Sequence, residues 1–323
     1  MNLKPLKLIG AFSLVVATAC AGPALAQEFP TKPVRIVVPY AAGGVPDVLS
    51  RTIAQPLSEA LGQQFIVENK PGAGGISAVM SVVTAPPDGY TLVMADSSQT
   101  AINPYLFKDL PYDTLKNMTP VSLVALSTQY VAANPKFGSF EELVTEAKAN
   151  PGKLTYGSSG LGSVHHIGVE SICASLGIRM VHVPYRGSGQ SVPALVAGEV
   201  NIVMASLPAL VAHVKAGRIK LLAVTSPQRS DQTPGVPAVA EFVPGYDFVT
   251  PMGLLGPAGM PPQVVAKLAG EVTKALKQPQ VAARLIPIGL EPHGSTPAEF
   301  AALIERDLKK YSVAVKLSGA KAN

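Results

Sequence analysis

The sequence predicts an α/β protein built from two units, each a mainly parallel sheet flanked by helices. Three observations carry that expectation. β-rich runs alternate with helical periodicity along the chain, glycine-rich loops separate each strand from the helix after it, and 47% hydrophobic residues against 15% charged can build cores in 323 residues. The same balance excludes a disordered chain, which needs low hydrophobicity and high charge. Aromatic residues are only 6%, Trp is absent, and the net charge of +5 is spread without a Lys/Arg run. Stacking platforms and basic patches are therefore lacking, and no nucleic-acid partner is expected.

The first 26 residues read as a cleaved export signal. Lys4 and Lys7 precede the apolar stretch Leu8 to Ala19, and Ala24-Leu25-Ala26 supplies a small-x-small site with cleavage after Ala26. An apolar stretch of about twelve residues is too short for a bilayer of roughly 30 Å. Cys20, preceded by Ala17-Thr18-Ala19, leaves lipidation as an alternative. If Cys20 departs with the signal, Cys173 is left alone, so no intrachain disulfide forms and Cys173 is expected to be a buried structural thiol. No later segment resembles a span, and the mature chain is expected to be a soluble periplasmic monomer.

The mature chain then alternates. Val34 to Val38 is a strand ended by Pro39, and a helix starts near Pro46 with Leu49, Ile53, Leu57 and Leu61 on one stripe until Gly62 stops it. Phe65 to Val67 is a strand, and Pro71 to Gly75 a glycine loop opening a helix with Ile76, Val79, Met80 and Val83. Thr91 to Ala95 is the third strand. Val121 to Leu126 and Gln129 to Ala133 read as two strands or one long crossing strand. A second unit follows: helix Phe140 to Ala149, strand Leu154 to Tyr156, helix Val164 to Leu176, strand Met180 to Val183, a helix ending at Ala197, strand Ile202 to Met204, helix Leu207 to Lys215 and strand Leu221 to Val224. Phe300, Leu303, Ile304, Leu308, Tyr311 and Val315 mark a long amphipathic helix near the end.

Four strand-to-helix loops are rich in small residues: Ala41 to Val45, Asp96 to Gln99, Gly157 to Ser163 and Gly187 to Gly189. In open α/β sheets ligands bind where strands end and helices begin, and free N–H groups there favour an anion. A ligand cleft between the two units is expected. Nucleotide motifs fail: Gly160-Leu161-Gly162-Ser163-Val164-His165 and Gly72-Ala73-Gly74-Gly75-Ile76-Ser77 lack the final glycine, and no P-loop is present. A nucleophile elbow is absent, although Ser163 beside His165 and His166 leaves a hydrolase as an alternative. The adjacent histidines diverge by about 100° on a helix and form no metal pair; neither metal nor cofactor is expected.

Ordered segments resemble, nearly end to end, the periplasmic solute-binding proteins of tripartite tricarboxylate transporters, the Bug family. They include Pro33 to Asp47, Val67 to Gly75, Pro87-Asp88-Gly89-Tyr90-Thr91-Leu92, Ile102-Asn103-Pro104, Leu110-Pro111-Tyr112-Asp113, Val181 to Gly187, Leu222 to Ser226 and Val236 to Glu241. The resemblance implies a two-domain Venus-flytrap periplasmic binding fold of type II, with the ligand in the interdomain cleft. It implies domain 1 at 27–127 and 249–323, domain 2 at 128–248, and C-terminal helices packed on domain 1. It also implies a non-enzymatic role: capture of a small mono-, di- or tricarboxylate and delivery to membrane permease subunits, with a periplasmic sensor as the alternative.

Carried onto this chain, the ligand residues are Tyr40, Ala42, Gly43, Gly44, Val45 and Asp47 in the first loop, Ser97 and Ser98 after the third strand, and Ser158, Ser159, Gly160, Gly162, Ser163 and His166 in the second glycine loop. Tyr185, Gly187 and Ser206 close the other side. Backbone amides of Gly43, Gly44, Gly160 and Gly162 are expected to clamp a carboxylate. Val45-Pro46 stands where relatives usually carry hydroxyl residues, and Ser206 where many have Asp. Both departures favour an uncharged-bodied carboxylate over an amino acid. Asp47 is expected either to contact the ligand or to support its loop.

Overall fold

The computed structural model describes residues 29–321. The signal and both Cys20 alternatives therefore lie outside the described residues. The strands are β1 (Val34–Val38), β2 (Phe65–Asn69), β3 (Thr91–Asp96), β4 (Met118–Ser127), β5 (Gln129–Ala133), β6 (Thr155–Ser158), β7 (Val181–Pro184), β8 (Ile202–Ser206), β9 (Lys220–Val224), β10 (Thr250–Pro257) and β11 (Leu290–Pro292). They form a six-stranded sheet in the order β11-β4-β10-β3-β1-β2 and a five-stranded sheet in the order β7-β6-β8-β5-β9. Each sheet anchors one lobe.

The sheets are mixed. β1 runs parallel to β2 and β3, and β6 parallel to β7 and β8, as helical crossovers require. β10 is antiparallel to β3 and β4, and β5 antiparallel to β8 and β9. The reason is the connection between lobes: β5 and β10 are the strands that arrive from the other sheet, so each begins at the hinge end and runs against its neighbours. The two runs around Thr128 are thus separate strands, one in each sheet.

The helices are α1 (Val45–Leu61), α2 (Ile76–Val83), α3 (Asn103–Leu106), α4 (Thr114–Asn117), α5 (Phe140–Ala149), α6 (Val164–Leu176), α7 (Ser188–Ala197), α8 (Leu207–Lys215), α9 (Pro262–Leu276), α10 (Pro279–Leu285) and α11 (Pro297–Ser318). α1 shows why the pattern works. Leu49, Ile53 and Leu57 are fully buried on one stripe, Pro46 sits in the first turn, and Gly62 ends the helix at φ 67. No helix among the described residues is long and apolar enough to cross a membrane. Cys173 is buried on α6, and burial pushes its thiol up to about 12, the state of an inert packing residue.

α11 starts at a Thr296 cap that exchanges hydrogen bonds with Glu299. Its packing differs from the sequence expectation. Phe300 and Ile304 join Val93 and Leu255 in the first lobe, whereas Tyr311, Ala314 and Val315 enter the core of the second lobe with Ile167 and Ile172. Twenty-two residues make a helix about 33 Å long, enough to reach both lobes. The C-terminal helix therefore reaches across the molecule and packs against both lobes.

Candidate functional site

Four helices begin around one small cavity between the lobes. Gly44, Val45 and Pro46 lead into α1, Val164 and His165 open α6, Gly187 and Ser188 open α7, and Ser206 precedes α8. Ser127, Gln129, Thr250 and Met252 come from the strands flanking the crossings between lobes, while Tyr40, Asp96 and Ser159 complete the lining. The lobes meet over it. Ala41 N–H donates to the Arg186 carbonyl at 3.4 Å, and Val164 N–H donates to Ser98 Oγ at 3.1 Å. A larger neighbouring cavity shares Tyr40 and Ser159 and adds Ser98, Gly160, Ser163, Tyr185 and Arg186.

The first N–H groups of a helix lack intrahelical partners and carry partial positive charge, so several helix starts on one cavity favour a small anion. None of the described residues lining the smaller cavity is Lys or Arg. Its acidic side chain is Asp96, the last residue of β3 and only 6% exposed. Tyr40 Oη donates to Asp96 Oδ2 at 2.7 Å and Ser98 N–H donates to Oδ1 at 2.7 Å. Gln99 Nε2 donates to Tyr40 Oη at 3.2 Å. Burial raises the Asp96 carboxyl above its ordinary value, and the bonds from Ser98 and Tyr40 oppose that rise.

Across the cavity, Gln129 fixes a histidine. Gln129 Nε2 donates to the Ser127 carbonyl, which leaves Oε1 to accept from His165 Nε2 at 3.0 Å. His165 Nδ1 then accepts from Ser159 Oγ at 2.7 Å. This Ser-His-Gln line has the shape of a nucleophile and base, but its third member is neutral. Burial lowers the imidazole to about 4, and no carboxylate backs it, so imidazolium formation is disfavoured.

The expected site residues divide three ways. Tyr40, Gly44, Val45, Ser159, Gly187 and Ser206 line the smaller cavity, and Ser98, Gly160, Ser163 and Tyr185 line its neighbour. Ala42, Gly43, Asp47, Ser97, Ser158, Gly162 and His166 line neither. Asp47 supports its loop: it accepts from Gly43 N–H at 2.9 Å and pairs with Arg51 at 3.0 Å, and its carboxyl is held below its ordinary value even though burial opposes this. Ser97 Oγ donates to Asp307 of α11. His166 turns into the second lobe, where its ring stacks on His182 with centroids 4.0 Å apart. Its neighbour His165 faces the cavity instead, as two residues 100° apart on a helix must differ.

The four glycine amides expected to clamp a carboxylate have partners within their own loops and the helices that follow. Gly43 N–H is taken by Asp47, Gly160 N–H by Ser158 Oγ at 3.0 Å, Gly162 N–H by His166 Nδ1 at 3.2 Å, and Gly44 N–H reaches the Ala41 carbonyl at 3.4 Å. These amides shape the loops and are not free for a ligand. Sequence reasoning missed Asp96, Gln129, His165, Ser188, Thr250 and Met252. Asp96 and Ser188 already lay within loops marked as candidate ligand loops; the β10 residues carried no comparable signal.

Two mixed sheets joined by paired crossings, with a cavity at the helix starts between them, define a two-lobed α/β fold of the periplasmic binding-protein class. The sequence profile of the tripartite tricarboxylate transporter family receptor matches residues 49–319, and the chain belongs to that family. It is similar to protein BugT of Bordetella pertussis, 31% identical with 98% of each chain covered. Among solved structures it resembles R. palustris Rpa4515 with adipate, at 32% identity and TM-score 0.87, covering 91% of this chain and 99% of that one. It also resembles MatC from Rhodopseudomonas palustris with bound malate, at 30% identity and TM-score 0.85, covering 89% and 100%.

Proposed function

We propose that this protein is exported to the periplasm, captures a small carboxylate in the cavity between its lobes and delivers it to a tripartite-type membrane permease. The observation that carries this is the convergence of the α1, α6, α7 and α8 starts on one cavity between the lobes. The N–H groups of Val45 and Ser188, first residues of α1 and α7, are the expected carboxylate donors. Solved relatives holding adipate and malate support the ligand class. In this reading domain 1 comprises 27–127 and 249–323, domain 2 comprises 128–248, and the mature chain begins at Gln27, which intact mass checks directly.

Thermal shift followed by calorimetric titration with a panel of small mono- and dicarboxylates, 4-aminobutyrate, 4-hydroxybutyrate, succinate, malate and adipate, tests the capture step. Saturable one-to-one binding of at least one member, unaffected by chelator, is expected. Absence of binding together with turnover of an ester would instead favour the hydrolase reading. Uptake of the bound acid by host cells lacking this protein tests delivery: uptake should fall, whereas unchanged uptake with a lost transcriptional response would favour a sensor.

A further inference from the structure

We propose that Asp96 selects a carboxylate that also carries an ammonium group, a small zwitterion, and rejects one that places a second carboxylate there. The inference rests on the cavity being the carboxylate site. It starts from an imbalance. The described lining contains a buried carboxylate and neither Lys nor Arg to balance it. Helix starts can hold one carboxylate through N–H groups, but a second anion would face the buried Asp96, and like charges repel strongly where solvent is largely excluded.

The geometry of Asp96 fits an acceptor. One oxygen takes the Ser98 N–H and the other the Tyr40 hydroxyl, both at 2.7 Å, so both oxygens already accept donors. An ionised carboxylate offers about four acceptor positions, which leaves room for a donor from the cavity. A buried charge without a partner is costly, and a ligand that brings the opposite charge removes that cost. Ser206 lines the same cavity, so the missing acid after β8 is answered by an acid at the end of β3. The sequence-based preference for an uncharged-bodied ligand is thereby reversed.

The test is calorimetric titration of wild type and Asp96→Asn with two matched sets. One is 4-aminobutyrate, 4-hydroxybutyrate and succinate; the other is 2-aminobutyrate, 2-hydroxybutyrate and malate. An amino member should bind at least about tenfold tighter than its hydroxy and dicarboxylate counterparts, and Asp96→Asn should erase that preference while tightening succinate. If a dicarboxylate or hydroxy acid binds tightest in wild type, the inference falls while the carboxylate site stands. If no member binds, both fall. Should melting show Asp96→Asn unfolded, the wild-type ranking decides alone.

Discussion

The two glycine loops at the cleft, before α1 and before α6, both turn through positive-φ glycines but have different supports. In the loop before α1, Gly43 at φ 83 gives its N–H to Asp47, an acid paired with Arg51. In the loop before α6, Gly160 at φ 123 and Gly162 at φ 76 give theirs to a hydroxyl and an imidazole. His182 extends the second support, sharing a 2.6 Å hydrogen bond with Ser158 and stacking on His166 and Tyr156. One loop is held by charge and the other by neutral groups. Two glycine turns can therefore respond very differently to acid and to substitution.

The largest expected difference comes from bulk. A Cβ at Gly162 would lie 2.5 Å from Leu106 Cδ2, a first-lobe side chain, whereas one at Gly43 would meet nothing within 4 Å. Gly162→Val should weaken carboxylate binding by more than about tenfold by blocking closure, and should lower stability by about 1–3 kcal/mol. Gly43→Ala should cost only the backbone strain of about 1–2 kcal/mol. Titration and denaturant melts of both variants check this; equal losses would erase the contrast.

Acid should act next, and on the second loop. Burial holds His165 and His166 at about 4 and His182 at about 3, against an ordinary value of 6.5. Below pH 6.5 the unfolded chain takes up protons that the folded imidazoles refuse, so this stability is present above 6.5 and is lost as pH falls toward 4. Asp96, Glu170 and Asp307, whose carboxyls burial raises, work in the opposite sense. The difference between wild type and His182→Gln isolates the histidine effect: urea melts at pH 7.5 and 5 should show a flatter pH dependence in the variant.

Asp47→Ala comes third. It leaves the Gly43 N–H without its acceptor and should cost about 1–3 kcal/mol near neutral pH. The histidine-driven slope just below 6.5 should be unchanged. The loss of stability in the carboxylate range should be shallower, because the Asp47 carboxyl is held below its ordinary value. Ser163→Ala is the mildest. The hydroxyl accepts from His166 N–H as the cap of α6, and losing it should cost about 1 kcal/mol in melts.

Much of this architecture was legible because strand ends, glycine stops and apolar stripes are local signals. The α6 bounds and the Gly62 stop follow directly from them. β10 was not segmented as a strand, since Pro251, Gly253, Gly256 and Pro257 resemble a loop. Its glycines answer to packing instead: Phe300 occupies the space a Cβ at Gly253 would need, and Met260 does so at Gly256. That information is tertiary. Likewise, adjacent His165 and His166 are equivalent in the sequence, and only the seating of α6 turns one toward the cavity. Asp96 read as the start of a turn, yet it ends a buried strand whose partner across the sheet is Met252.

The central claim is that a carboxylate sits among helix starts without a cationic side chain. A structure of the protein with its tightest-binding carboxylate tests it most directly. The account predicts carboxylate oxygens about 2.7–3.2 Å from the backbone nitrogens of Val45 and Ser188, with Asp96 lining the same cavity. A carboxylate held by the Arg186 side chain in the neighbouring cavity, with both amides unoccupied, would contradict it.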